Sequence, residues 1–186
     1  MRKFAILTVA ILALPASAQA QELNRASQRL ELAAEAPVAC VISQPVVGNQ
    51  SNASFAATST SSGQVNITQL VDAQSAQPRA SSIELSLPVV CNASHRVRVT
   101  STNGGLRRAG ATGRAGGFQE YLAYQVGIDW SGQSVDFSTA SNNATLDASQ
   151  PAKGTMVIRI ATPAGGAPLV AGQYSDSIVL EVQPAN

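Results

Sequence analysis

The sequence predicts an all-β fold, an antiparallel sandwich with one disulfide, and three observations carry that expectation. Five segments alternate apolar and polar residues at period two, the mark of a strand with one buried face. Turn-forming clusters such as "GNQSN", "TSTSSG", "AQSAQP", "NGG", "SNN" and "PAGGAP" separate these segments. About seven or eight short strands with no helical stretch between them point to a sandwich rather than an α/β fold. Finally, the chain holds two cysteines, Cys40 and Cys91, both in or beside strand-like segments.

Residues 1–20 read as a signal peptide. Arg2 and Lys3 form a basic start, Phe4 to Leu14 are almost wholly apolar, and Ala16, Ala18 and Ala20 satisfy the small-residue rule for cleavage. The apolar run is too short for a stable membrane-spanning helix, which sets the uncleaved anchor aside as the alternative. Cleavage after Ala20 leaves 166 of the 186 residues, enough for one domain with a real core. Without Arg2 and Lys3 the chain has ten basic and eleven acidic residues, a balance that speaks against nucleic acid or an anionic membrane as partner. Export also places the cysteines where thiols oxidise, so a Cys40–Cys91 bridge is expected ahead of two free buried thiols or a redox pair. Closing a loop of about 50 residues would stabilise by roughly 4 kcal/mol. A zinc site is excluded on ligand count, since His95 is the only histidine.

Taken in order, the first segment is ambiguous. In "RLELAAEAPVAC" Leu30, Leu32, Ala34, Ala36 and Val38 alternate as in a strand, yet Ala, Leu and Glu also favour helix. "PVACVIS" (37–43), "GQVNITQLV" (63–71) and "SVDF" (134–137) are weak strand candidates. "SSIELSLPVVC" is the clearest strand, with Ile83, Leu85, Leu87, Val89 and Cys91 on the buried face. Within it Pro88 cannot donate to a ladder and predicts an edge or a bulge. "HRVRVTS" buries Val97 and Val99, and "YLAYQVGIDW" buries Leu122, Tyr124, Val126, Ile128 and Trp130. "GTMVIRIAT" contributes Met156, Ile158 and Ile160, and "QYSDSIVLEVQ" contributes Tyr174, Ile178, Leu180 and Val182. Thr102 to Phe118 is the longest irregular piece and reads as a surface loop, for its Gly/Arg content lacks the interleaved aromatics of a nucleic-acid tract.

Catalytic chemistry has no foothold in these residues. His95 would have to anchor any Ser-His-Asp arrangement, but its neighbours Ser94, Arg96 and Arg98 predict an exposed strand end. No nucleophile elbow occurs, the eleven acids are scattered singly, and no cofactor motif is present. The expectation is therefore a non-enzyme without cofactor or metal. Four triplets, at Asn52, Asn66, Asn92 and Asn143, match the N-glycosylation acceptor, a match that a chain rich in Asn, Ser and Thr produces by chance.

Three stretches in a fixed order resemble the chaperone–usher pilus subunits, in the branch with the spore coat protein U-like domain and the archaic pilins. "RLELAAEAPVACVIS" is similar to the family's alternating segment running into its first cysteine. "LSLPVVCNASHRVRV" is similar to the strand that ends on the second cysteine and the strand after it. "GQYSDSIVLEV", with Gly172, Tyr174 and Asp176, resembles the family's terminal G-x-Y-x-D strand. After the first cysteine the family's Phe-Gly pair is replaced by "QPVVGNQSNASF".

The resemblance implies an immunoglobulin-like sandwich that lacks its last strand, leaving a groove that a partner's strand fills. It divides the chain into a signal peptide (1–20), an N-terminal extension (21–38) and a pilin-like domain (39–186). Leu30, Leu32, Ala34, Ala36 and Val38 become donor-strand residues, with Ile178, Leu180 and Val182 lining the groove edge. The implied function is a structural subunit of a bacterial surface fibre or coat, polymerising by donor-strand exchange after export through the periplasm. The implied partners are a periplasmic chaperone, an outer-membrane usher and neighbouring pilin subunits, with no nucleic acid. The alternative is a self-sufficient secreted sandwich that binds a ligand or surface through its loops.

Overall fold

A computed structural model describes residues 28–113 and 116–185; the expected signal peptide and the extension up to residue 27 lie outside them. The described chain contains no α-helix and fourteen strands. In chain order these are β1 (Cys40–Ile42), β2 (Val46–Ser51), β3 (Ala53–Ala57), β4 (Gly63–Ile67), β5 (Ser81–Cys91), β6 (His95–Ser101) and β7 (Leu106–Arg108). There follow β8 (Tyr121–Leu122), β9 (Gln125–Trp130), β10 (Gln133–Ser138), β11 (Asn143–Ala148), β12 (Ala152–Thr162), β13 (Tyr174–Ser175) and β14 (Ile178–Pro184). The compact unit that holds all of them spans residues 36–186.

Two antiparallel sheets make the sandwich. The larger runs β1-β5-β12-β9-β10, with β2 pairing β5 on the same side as β1, and the smaller runs β11-β6-β14. Side chains from both inner faces merge into one cluster: Ile83, Leu85, Leu87, Val89, Val126, Ile128, Trp130, Met156 and Ile158 from the larger sheet, and Val97, Val99, Leu146 and Ala148 from the smaller. This is the period-two pattern made physical, since alternate residues of a strand point to one face. A short sheet, β13-β7-β8, and a hairpin, β3-β4, complete the fold. The hairpin adds Ala53, Phe55 and Val65 to the core.

The all-β antiparallel class and the disulfide stand as expected. Cys40 and Cys91 are direct partners across the β1–β5 pair, with Cα atoms 4.2 Å apart, so the bridge staples neighbouring strands. β5 and β6 take the bounds that their alternation predicts.

Other expectations need correction. His95 is fully buried, not an exposed strand end. Its Nε2 accepts a 2.7 Å hydrogen bond from Trp130 Nε1, and its Nδ1 lies 2.9 Å from the carbonyl of Ala93. Because indole N–H only donates, the proton of this imidazole sits on Nδ1, and both ring nitrogens are satisfied. Pro88 lies in an interior strand, between β12 on one side and β1 and β2 on the other. It is tolerated because the flanking ladder breaks there: β1 ends opposite Val89, β2 begins opposite Ser86, and Ser43 N donates to Pro88 O at 2.9 Å. The single strands read at "YLAYQVGIDW" and "QYSDSIVLEVQ" are each two strands, and "GNQSN" joins β2 to β3 rather than forming a turn. The Gly/Arg piece is not irregular throughout, because β7 pairs both β13 and β8.

Candidate functional site

The outstanding feature of the sandwich is a side left open. β14 pairs β6 through seven residues, from Ile178 opposite Ser101 to Pro184 opposite His95. Among the described residues no strand pairs its other edge. Ile178, Leu180 and Val182 point inward against the core but stay only half-buried. On the larger sheet, β1 and β2 form the facing edge, each pairing only β5. There Cys40 and Ile42 likewise reach the core and remain half-buried, and β1 approaches β14. Among the described residues the edge of β14, with its half-buried apolar side chains, is thus free to act as a template for another strand.

Alternation explains why these side chains line the seam. In β14, Val179, Glu181 and Gln183 take the outward positions, so Ile178, Leu180 and Val182 can only face inward. The structure thus brings the three predicted edge residues together on one strand. It leaves the five predicted donor residues outside any strand: Leu30 is 76% exposed, Leu32 90% and Val38 59%, with Ala34 and Ala36 exposed as well.

The start of β14 is held by the G-x-Y-x-D stretch. Asp176 Oδ2 accepts from Tyr124 OH at 2.8 Å and from Ser101 Oγ, while Oδ1 accepts from the backbone amides of Asn103 at 2.9 Å and Ser177 at 2.7 Å. One carboxylate therefore ties the β13–β14 junction to the ends of β6 and β9. Burial foremost, and then the bond to Asp176, push the Tyr124 phenol far above its ordinary pKa. Tyr174 OH donates to Val170 O at 2.8 Å, tying the approach to β13. Gly172 adopts φ 150°, and a Cβ there would lie 3.1 Å from the Arg108 side chain, which is why glycine is required.

Ion pairs finish this end of the fold. Arg108 Nε donates to Glu120 Oε1 at 2.9 Å, and Glu120 Oε2 accepts from the amides of Thr112 and Gly113 at 2.8 and 2.7 Å. The Arg108 bond, followed by those amides, holds the Glu120 carboxyl below the usual carboxylate range. Across β9 and β12, Arg159 and then Ser134 hold Asp129 down to about 2. A shallow open hollow near this end is lined by Arg107, Phe118, Tyr121, Asn103 and Asn142, among others.

Asn92 is a residue that the sequence reading passed over except as a glycosylation triplet. Its Oδ1 accepts from Ala39 N at 2.8 Å, and its Nδ2 donates to Pro37 O at 2.8 Å. Its own backbone N donates to Ala39 O at 3.1 Å. Asn52 is spent in the same way, with Nδ2 donating to Gln69 O and Ala80 O at 2.8 and 3.1 Å. A sugar on Asn52 Nδ2 would have to break one of its two bonds, whereas Asn92 Nδ2 uses only one of its two hydrogens.

Among the described residues no three His, Cys, Asp or Glu side chains converge on a metal-sized point. No family model matches the chain, and no curated protein matches it either.

Proposed function

We propose that the chain is a structural subunit of a bacterial surface fibre or coat layer that polymerises by donor-strand exchange. The observation that supports this reading is the open side of the sandwich: the unpaired edge of β14 with Ile178, Leu180 and Val182 half-buried beside it. An immunoglobulin-like sandwich that lacks its last strand has this form. The exposed, alternating run from Leu30 to Val38 is the matching occupant, supplied by a second copy. Main-chain hydrogen bonds to β14 would set the register, and Leu30 and Leu32 would contribute most of the affinity, at roughly 1.5–3 kcal/mol for each fully buried leucine. Before assembly, a periplasmic chaperone would shield the same edge and an outer-membrane usher would receive the subunit, because an unpaired edge beside apolar side chains aggregates.

The test removes the donor and supplies it in trans. Deletion of residues 21–35 should leave a folded domain that no longer polymerises. A synthetic peptide of Arg29 to Val38 should bind that domain and raise its melting temperature. A full-length monomer that never polymerises and ignores the peptide would refute the reading.

A further inference from the structure

We infer that Asn92 sets the boundary between the domain and the donor segment, so that the part a second copy can take up ends at Ala36 and Val38 stays with its own domain. The inference rests on the donor-strand reading above and sharpens it. A residue inserted as a strand must present its backbone groups to the strand that receives it. The groups flanking Val38 are already engaged by the domain from which the segment leaves. Pro37 O accepts from Asn92 Nδ2 and Ala39 N donates to Asn92 Oδ1, both at 2.8 Å. Ala39 O accepts from Asn92 N, and Cys40 is bonded to Cys91 in the adjacent strand. Pro37 has no N–H to offer in any case.

Ala36 is therefore the last residue before this clamp. Val38 alternates with Leu30 and Leu32 in sequence, but the residues on either side of it, Pro37 and Ala39, are bonded to Asn92. The donor set contracts to Leu30, Leu32, Ala34 and Ala36. Asn92 thus acts as a positioning residue, holding Pro37 and Ala39 at the Cys40–Cys91 end of the sandwich.

Two measurements on the oxidised full chain test this. First, polymerisation of the oxidised full chain is followed for Leu32→Ser and Val38→Ser. Leu32→Ser is expected to weaken assembly by about tenfold or more, the worth of one buried aliphatic side chain, and Val38→Ser to leave it within about twofold of wild type. A loss in Val38→Ser as large as that in Leu32→Ser would overturn the boundary while leaving the donor reading intact. A wild-type chain that does not polymerise would overturn the donor reading and the boundary with it. Second, amide exchange is followed at Ala39 in wild type, Asn92→Ala and Asn92→Asp. Loss of the acceptor should lower protection at Ala39 by about tenfold in Asn92→Ala, and Asn92→Asp, which keeps an acceptor oxygen, should restore most of it. Unchanged protection in Asn92→Ala would overturn the clamp, whatever the assembly assay gives.

Discussion

Replacing Asp176 by alanine tests the corner that holds the start of β14. The substitution removes one carboxylate that accepts four hydrogen bonds, from Ser101, Asn103, Tyr124 and Ser177. The four do not count equally. Asn103 and Ser177 are exposed, so water replaces the acceptor for their amides. Ser101 is 3% exposed and Tyr124 5%, so their hydroxyls lose a partner that water replaces poorly. An unsatisfied buried hydroxyl costs about 1–3 kcal/mol, so the two put Asp176→Ala at about 2–6 kcal/mol. Tyr124→Phe removes one donor and leaves the carboxylate its other partners, for about 1 kcal/mol. Because the two residues share a bond, the double variant should fall short of the sum by about 1–2 kcal/mol. Urea unfolding of the oxidised protein measures all three, provided the slope against denaturant is unchanged. Amide exchange at Val179, which pairs Thr100 at the start of β14, should rise in Asp176→Ala. A cost below about 0.5 kcal/mol, or strict additivity with Tyr124→Phe, would refute the assignment of Asp176 as the anchor of this strand.

Three further outcomes are expected. Replacing Cys40 and Cys91 together by serine should lower stability by about 4 kcal/mol, from loop-closure entropy over a separation of 51 residues, read from the urea midpoint. His95→Ala should cost about 2–4 kcal/mol and shift Trp130 emission, because it opens a cavity and strands a buried indole N–H; emission identical to wild type would contradict the buried pair. In acid, Asp129 should matter in a defined window. Its folded pKa, about 2, lies below the unfolded value, so its contribution is present above the ordinary carboxylate range and is lost as pH falls from about 4 towards 2. Asp129→Asn should flatten that part of the acid-unfolding curve, and an unchanged curve would dismiss the Arg159 pair as a source of stability.

What the sequence determined by itself was the identity of the inner faces. Ile83 to Cys91, Val97 with Val99, and Val126 to Trp130 are buried as their alternation requires, because strand geometry allows only two faces and one must leave water. The cysteine pairing was legible as well, since the signal-peptide reading places the only two cysteines where thiols oxidise.

Tertiary structure decided whatever depends on who lies beside a strand. Charged neighbours made His95 look exposed, but its place at the start of β6 puts it against Trp130, 35 residues away. Pro88 is tolerated in an interior strand only because the flanking ladder passes from β1 to β2 at that point. The G-x-Y-x-D stretch was visible as a pattern, yet Ser101, Asn103 and Tyr124, the residues that make Asp176 matter, come from segments up to 75 positions away. Asn92 gave no signal, because a side chain that bonds backbone groups leaves no periodicity to read. The open edge of β14 is the clearest case. Alternation shows that Ile178, Leu180 and Val182 face inward, but strand order alone decides that β6 pairs one edge of β14 and that, among the described residues, nothing pairs the other.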